Sequence, residues 1–431
     1  MSTAQYLTDL ATGLVERGHN VTVVAGRRGY DNPKLRFAKR EIWRGIRIIR
    51  LSTLGLGKNG RARRALDFSS FFVSCVLRLA LLPRFDVVIA LTSPPLISWL
   101  AAMFVRLKGG RLVFWVMDLN PDEAIAAGWL KKNSFAARAL EWFLRSSMQH
   151  SSRIVVLDRF MKRRVLDKGV SEAKISIIAP WSHNQAHDQS HGQSHQGSQD
   201  EGVRYDEQGR NSFRTRHGLS GKYVVMYSGN HSPCHPLDSV LEAAAGLRGR
   251  EDIAFCFVGG GSEQDKVRRF AQVHELQNIL CLLYQPRQDL SASLSAADLH
   301  LVVMGNAFAG ILHPCKIYNI IAIGSPFLYI GPDQSHITDL LSHPGDQLAG
   351  FVARHGDVNA IMRIILDSAD KGNVRRDDPR AAFDSISAKF SREVLMPRLI
   401  DVIESNATKE IDRGGEIAER GSSPTVREGV Y

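Results

Sequence analysis

Pro314-Cys315-Lys316-Ile317-Tyr318-Asn319-Ile320-Ile321-Ala322-Ile323-Gly324-Ser325-Pro326-Phe327 is the stretch that decides the fold. A lysine and a tyrosine open an apolar run, Gly324 and Pro326 end it, and a second apolar run, Phe327 to Ile330, follows. The spacing predicts a short helix with Lys316 near its N-terminus, a glycine stop and a buried strand. Lysine at that end opposes the helix dipole, so stability alone does not ask for it. An anion held there would supply the reason, because helix N-termini bind phosphates. The competing reading is a solvated first-turn lysine.

The same alternation runs outward along the chain. On the N-terminal side, Gln5 to Arg17 carries Tyr6, Leu7, Leu10, Leu14 and Val15 on one helical face and stops at Gly18. Val21–Ala25, Asp86–Leu91, Arg111–Met117, Arg153–Leu157 and Ile175–Ile178 read as short buried strands. Later, Tyr223–Tyr227, Ile253–Val258, Ile279–Leu283 and Leu299–Val303 repeat the pattern before Phe327–Ile330. Continuous apolar strands alternating with helices imply parallel sheets covered on both faces. The expectation is an α/β protein with two tandem Rossmann-like, doubly wound domains facing across a cleft.

A polar run from Ser182 to about Ser212, carrying His183, His187, His191 and His195, separates the halves. It holds too little apolar surface to offset its ordering entropy. Its histidines are either candidate divalent-metal ligands or solvated filler. The expected domains are therefore 1–181, a linker over 182–212, a second domain over 213–405, and a polar tail over 406–431.

The chain has 431 residues, 44% of them apolar, and a formal net charge of +11. That length supports two cores. The charge favours anionic partners, but no aromatic–basic interleaving points to nucleic acid. Five scattered cysteines without a CxxC pair suggest neither a zinc site nor a disulfide framework, and a reduced, cytoplasmic setting is the simplest expectation. No secretory signal is visible, and the most apolar stretch, Phe68 to Leu82, is broken by Arg78 and ended by Pro83. Lys58, Arg61, Arg63 and Arg64 precede it, a combination suited to an anionic inner-membrane surface, although such a segment is more often core.

An ordered set of motifs resembles bacterial family 4 glycosyltransferases of the GT-B fold, in the branch that builds O-antigen and colanic acid polysaccharides. It comprises Ala4-Gln-Tyr-Leu-Thr-Asp-Leu to Val24, Thr92-Ser-Pro-Pro95, Val116-Met-Asp-Leu-Asn-Pro121 and Met161 with Gly169-Val170. Pro180-Trp181, Tyr227-Ser-Gly-Asn230, Val258-Gly-Gly-Gly261 and Pro314-x-Lys-x-Tyr318 complete it. The resemblance implies retaining, metal-independent transfer of a hexose or N-acetylhexosamine from a UDP-sugar to a lipid-linked or growing glycan. It implies no cofactor, the nucleotide-sugar being a substrate, and places the donor in the second domain and the acceptor in the first. The alternatives are a nucleotide-sugar 2-epimerase of the same fold and an inactive remnant.

Three departures accompany it. Met1 falls just ahead of the first motif helix, so the first strand of the N-terminal sheet and its Gly-rich loop are expected to be lacking, through a mis-assigned start or a truncation. The family's paired glutamates are replaced by Ile311 and Asn319, and Cys315 stands where the branch has serine. The loop Gly229 to His235 contains no lysine or arginine.

On these terms Lys316 is the candidate to neutralise the leaving diphosphate. Gly229 and Asn230 are candidates to approach the donor by backbone, unless they form an ordinary strand-to-helix turn. The resemblance adds Gly260, Tyr284 and Tyr318 near the donor, and Thr92 and Ser93 near the acceptor. Asp118 ends a buried strand and is a candidate to orient the acceptor hydroxyl or accept its proton, or else caps a helix near Pro121.

Overall fold

Runs such as Leu112-Val113-Phe114-Trp115 bury both faces of a strand, and the chain uses them as the centres of parallel sheets. The computed structural model describes residues 2–29, 35–55, 61–182, 202–342, 348–370, 383 and 386–405. The histidines of the polar linker, Lys58 and the tail from 406 lie outside the described residues.

The first domain runs α1 (Ser2–Glu16), β1 (Thr22–Gly26), β2 (Arg40–Trp43), β3 (Ile46–Leu51), α2 (Arg61–Leu81), β4 (Val87–Leu91), α3 (Ile97–Lys108), β5 (Arg111–Trp115), α4 (Asp122–Ala126), α5 (Phe135–His150), β6 (Arg153–Val156), α6 (Arg159–Asp167) and β7 (Ile175–Ile177). The chain continues with α7 (Glu207–Arg216), β8 (Tyr223–Asn230), α8 (Asp238–Gly246), β9 (Ile253–Gly260), α9 (Gln264–Val273), β10 (Ile279–Leu282), α10 (Leu290–Ser295), β11 (Leu299–Val303), α11 (Lys316–Ala322), β12 (Phe327–Ile330), α12 (His336–Leu341), β13 (Gly350–Ala353), α13 (Val358–Asp370) and α14 (Arg392–Glu404).

The second sheet is a single parallel layer ordered β10-β9-β8-β11-β12-β13. The first domain's strands form two sheets, β1-β3-β2 and β4-β5-β6-β7. In the described residues β1 and β4 each keep one edge unpaired. The antiparallel β2–β3 hairpin and the edge strand β13 escaped sequence reading, because Arg40–Trp43 is half charged and largely solvent-facing, and Gly350–Ala353 is a short run opened by glycine.

Two boundaries differ from the sequence expectation. The folded chain resumes inside the 182–212 segment: Val203 is buried, Asp206 caps α7 by accepting from the Gly209 N–H at 2.8 Å, and Arg210 and Arg214 both pair with the buried Asp298. Eight polar residues out of ten hide this helix from hydropathy, since only Phe213 reaches the core. The last helix belongs with the first domain. Leu395, Leu399, Ile400 and Ile403 of α14 join its core, Met396 packs where Gly13 of α1 has no Cβ, and Arg17 pairs with Asp401 and Glu404. The chain thus crosses between domains twice, around Ser182 and around Phe390, whose backbones are hydrogen-bonded (Ser182 N–H to Phe390 O, 3.1 Å).

Candidate active site

The order of the second sheet puts its topological switch between β8 and β11. Their pairing opens there. β11 meets β8 at Leu299–Val225 and His300–Met226, whereas β8 stays paired with β9 through Asn230–Gly260. From Tyr227 onward the β11-facing edge of β8 is released, and such crevices at strand carboxyl ends bind ligands in open α/β sheets.

Lys316 occupies this crevice. Its Nζ lies 3.4 Å from the centroid of the Tyr227 ring, is buried, and has no hydrogen-bond partner among the described residues. Gly229 holds φ +141°, and a Cβ there would come within 3.1 Å of Nζ, so the bare backbone leaves room for the lysine. Burial pulls the ammonium down to about 7. The site is short of negative charge: burial first, and the lysine second, lower His231 to about 4 and His235 to about 3. His235 Nδ1–H donates to the Val303 carbonyl at 2.8 Å, tying the loop after β8 to the end of β11.

The other wall comes from the first domain. Asp118 follows β5, and its backbone N–H donates to Thr92 Oγ1 at 3.3 Å. Burial, with Glu123 adding, pushes the Asp118 carboxyl up to about 7. Glu123, in the first turn of α4, accepts from Asn120 Nδ2 at 3.3 Å and from the Cys234 thiol of the second domain at 3.8 Å. Of these two raised carboxyls beside the crevice, Asp118 can accept a proton near neutral pH.

Several candidates sit differently from expectation. The Gly229–Asn230 and Gly259–Gly260 segments are strand extensions that pair with one another rather than open turns. Asn230 is exposed, while Gly229 serves to seat Lys316. The Tyr284 hydroxyl donates to the Gly260 carbonyl at 3.3 Å, so those two lie together at the rim. Tyr318 is a correction: its hydroxyl is taken by His313 Nε2 at 2.7 Å and its ring is covered by Phe390 at 4.8 Å, leaving no face for a donor. Ser93 points outward and exposed, whereas Thr92 is buried against Asp118.

Sequence reasoning missed Glu123, His231, His235, Asp158, His313 and His336. The last three cluster with ligand-capable atoms within 4.8 Å of one another, the set among the described residues able to converge on a metal ion. Nothing in their spacing signals this, because they come from three separate elements.

The buried histidines set the acid behaviour of the fold. His231, His235, His300 and His336 all sit below their ordinary value, each chiefly through burial. The unfolded chain therefore takes up their protons first, and stability falls as pH drops below about 6.5. Asp118 and Glu123, raised when folded, act oppositely but are fewer. We expect the urea midpoint to decline steadily between pH 6.5 and 4.5; a flat or rising profile would contradict the buried, uncharged histidines.

Residues 3–181 match the family model described as a glycosyl transferase 4-like domain, and residues 209–311 match that of glycosyl transferases group 1. The chain belongs to the GT-B glycosyltransferases. It is 26% identical to the putative colanic acid biosynthesis glycosyl transferase WcaI of Escherichia coli K12, over 74% of this chain and 77% of that protein. It is 24% identical to the probable glycosyltransferase WbjE of Pseudomonas aeruginosa, over 68% and 70%. The solved structure of Anabaena HepE, in complex with UDP and glucose, shares the fold with a TM-score of 0.65 at 13% identity, covering 93% of this chain and 95% of HepE. The two matched models meet this glycosyltransferase on either side of the crevice that holds Lys316.

Proposed function

We propose that this glycosyltransferase moves a hexose or N-acetylhexosamine from a UDP-linked donor, with retention, to a lipid-linked or growing glycan in surface-polysaccharide synthesis. One observation carries the reading: the buried Lys316 ammonium at the sheet's switch point lacks a hydrogen-bonding partner. An ionised diphosphate would supply it, and the lysine would neutralise the charge that grows as the glycosidic bond breaks. Asp118, with Thr92 beneath it, faces the acceptor side and orients the attacking hydroxyl. The named functions of WcaI and WbjE and the ligands of HepE support the substrate classes.

The acceptor's lipid anchor fits the outer face of α2. Leu66, Val73, Val76, Leu77 and Leu81 lie exposed along it, with Arg63 exposed toward its start. No helix among the described residues is long and apolar enough to cross a membrane. An amphipathic helix lying in an anionic interface satisfies both observations.

The test is a panel of UDP-sugars presented with lipid-linked acceptors in anionic vesicles. The anomeric configuration of the product is read by NMR, and enzyme by co-sedimentation. A product with the donor's anomeric configuration, and vesicle binding lost in Val73→Asp/Leu77→Asp, is expected. An inverted product removes the retaining mechanism. Formation of a 2-epimeric sugar without acceptor would favour the epimerase reading, toward which the Asp118–Glu123 pair points.

A further inference from the structure

The helix that carries Lys316 is fastened to the other domain by a buried polar chain. Asp158 follows β6, and its Oδ1 accepts from the Met161 N–H at 2.7 Å, capping α6. Its Oδ2 accepts from His313 Nδ1–H at 2.8 Å, across the domain boundary. His313 Nε2 in turn accepts from the Tyr318 hydroxyl at 2.7 Å. Tyr318 lies two residues past Lys316 in α11. The side chains of His313 and Asp158 are 1% and 7% exposed. On the far side of His313, His336 of α12 stacks at 3.6 Å with an interplanar angle of 19°.

Three further ties surround this chain and join the same two bodies. Arg159 holds Asp339 with two hydrogen bonds, the longer 2.8 Å. Arg164 donates to the Ala309 carbonyl at 2.8 Å, and the Leu119 N–H donates to the Ile311 carbonyl at 3.0 Å. Interfaces between domains of one chain move by default unless they are large and apolar. A buried, directional hydrogen bond to a carboxylate at such a boundary sets one register, because a misaligned carboxylate would stay desolvated and unpaired.

We infer that Asp158, His313 and Tyr318 are positioning residues that clasp the donor domain to the acceptor domain. With the clasp closed, Lys316 and Asp118 face one another's substrates; with it open, the donor domain still binds its nucleotide but transfer stalls. The inference rests on the proposed reading that the second domain binds the donor and the first the acceptor, not on the role of Lys316 itself. Burial alone would raise the Asp158 carboxyl, yet the hydrogen bonds from His313 and from the Met161 N–H hold it at about 2, so the clasp's acceptor stays ionised at working pH.

Asp158 and His313, together with His336, also invite a metal reading. His336 Nδ1 lies 3.7 Å from Asp158 Oδ2, and all three ligand atoms are close. Metal–imidazole bonds lie in the ring plane, however, and the two rings are stacked face to face. One ion would sit well out of the plane of at least one ring unless that ring turned. His313 is also fully satisfied by Asp158 and Tyr318 as it stands.

The experiment compares wild type, Asp158→Asn and the milder Tyr318→Phe for kcat, donor KM, melting temperature and UDP binding by calorimetry. The clasp predicts that kcat falls about tenfold or more in both variants while the Kd for UDP stays within about twofold. Unchanged kcat in both variants overturns it. So does a loss of UDP affinity in proportion to kcat, which a merely structural role would give. If EDTA reproduces the Asp158→Asn loss and added Zn²⁺ restores activity, the cluster is a metal centre and the clasp is wrong. Lys316→Met separates the two readings. If that variant keeps UDP affinity while Asp158→Asn still lowers kcat, the lysine's assignment fails and the clasp stands.

Discussion

Lys316→Met is expected to lower kcat/KM for the donor by about 10²–10³-fold, the usual cost of removing one preorganised charge-stabilising group. It is also expected to raise the stability of the free protein. The ammonium is buried without a hydrogen-bond partner, and an unsatisfied buried charge costs about 1–3 kcal/mol or more. Methionine keeps the length of the side chain and can lie on the Tyr227 ring without the charge. Opposite signs in activity and stability are the signature of a site held ready for a ligand at the fold's expense. A structural lysine would lose both together. Urea denaturation beside steady-state kinetics checks the pair of signs, and a destabilised but active variant would refute the assignment.

Gly259→Ala carries the second large effect. Gly259 sits opposite Gly229 in the β8–β9 ladder with φ +138°, a region that side chains rarely enter. A Cβ there would lie 2.0 Å from the Gly229 carbonyl oxygen, a backbone atom with no side-chain freedom to retreat. The strand ends must part, and Gly229 shifts from beneath Lys316. Conformational strain and steric clash together predict a loss of about 3 kcal/mol or more, with donor affinity falling alongside. Gly249→Ala makes the control, since nothing lies within 4 Å of that position. Equal urea midpoints for the two variants would show that the close approach of β8 and β9 is not what seats the lysine.

The central strands were legible in the sequence because each is buried on both faces, so its apolar run is unbroken; Leu299–Val303 and Phe327–Ile330 are examples. The edge elements were not, because their exposed faces break the pattern of burial: Arg40–Trp43 is half charged, and Gly350–Ala353 is a four-residue run with Phe351 and Val352 turned to solvent. The helix α7 hid behind its polar composition, its folding carried by the Asp298 ion pairs rather than by hydropathy. Lys316 stood out because a cation opening a helix conflicts with the dipole. The Asp158–His313–Tyr318 chain did not, because 155 residues separate its first two members and no local conflict marks either. Tyr318 looked like a ligand contact by its nearness to Lys316. Helical geometry instead turns position i+2 away from i, and here into the core.

The most direct test of a cleft that grips a diphosphate through one buried cation is calorimetric titration of UDP at pH 8 in two buffers of different ionisation enthalpy. With Lys316 lowered to about 7 in the free protein, the lysine is mostly neutral at that pH. Binding the ionised diphosphate should then draw roughly one proton from the buffer. Wild type should show that uptake, and Lys316→Met should show none while binding UDP far more weakly. Equal affinity in the two proteins, with no proton taken up by either, would contradict the account.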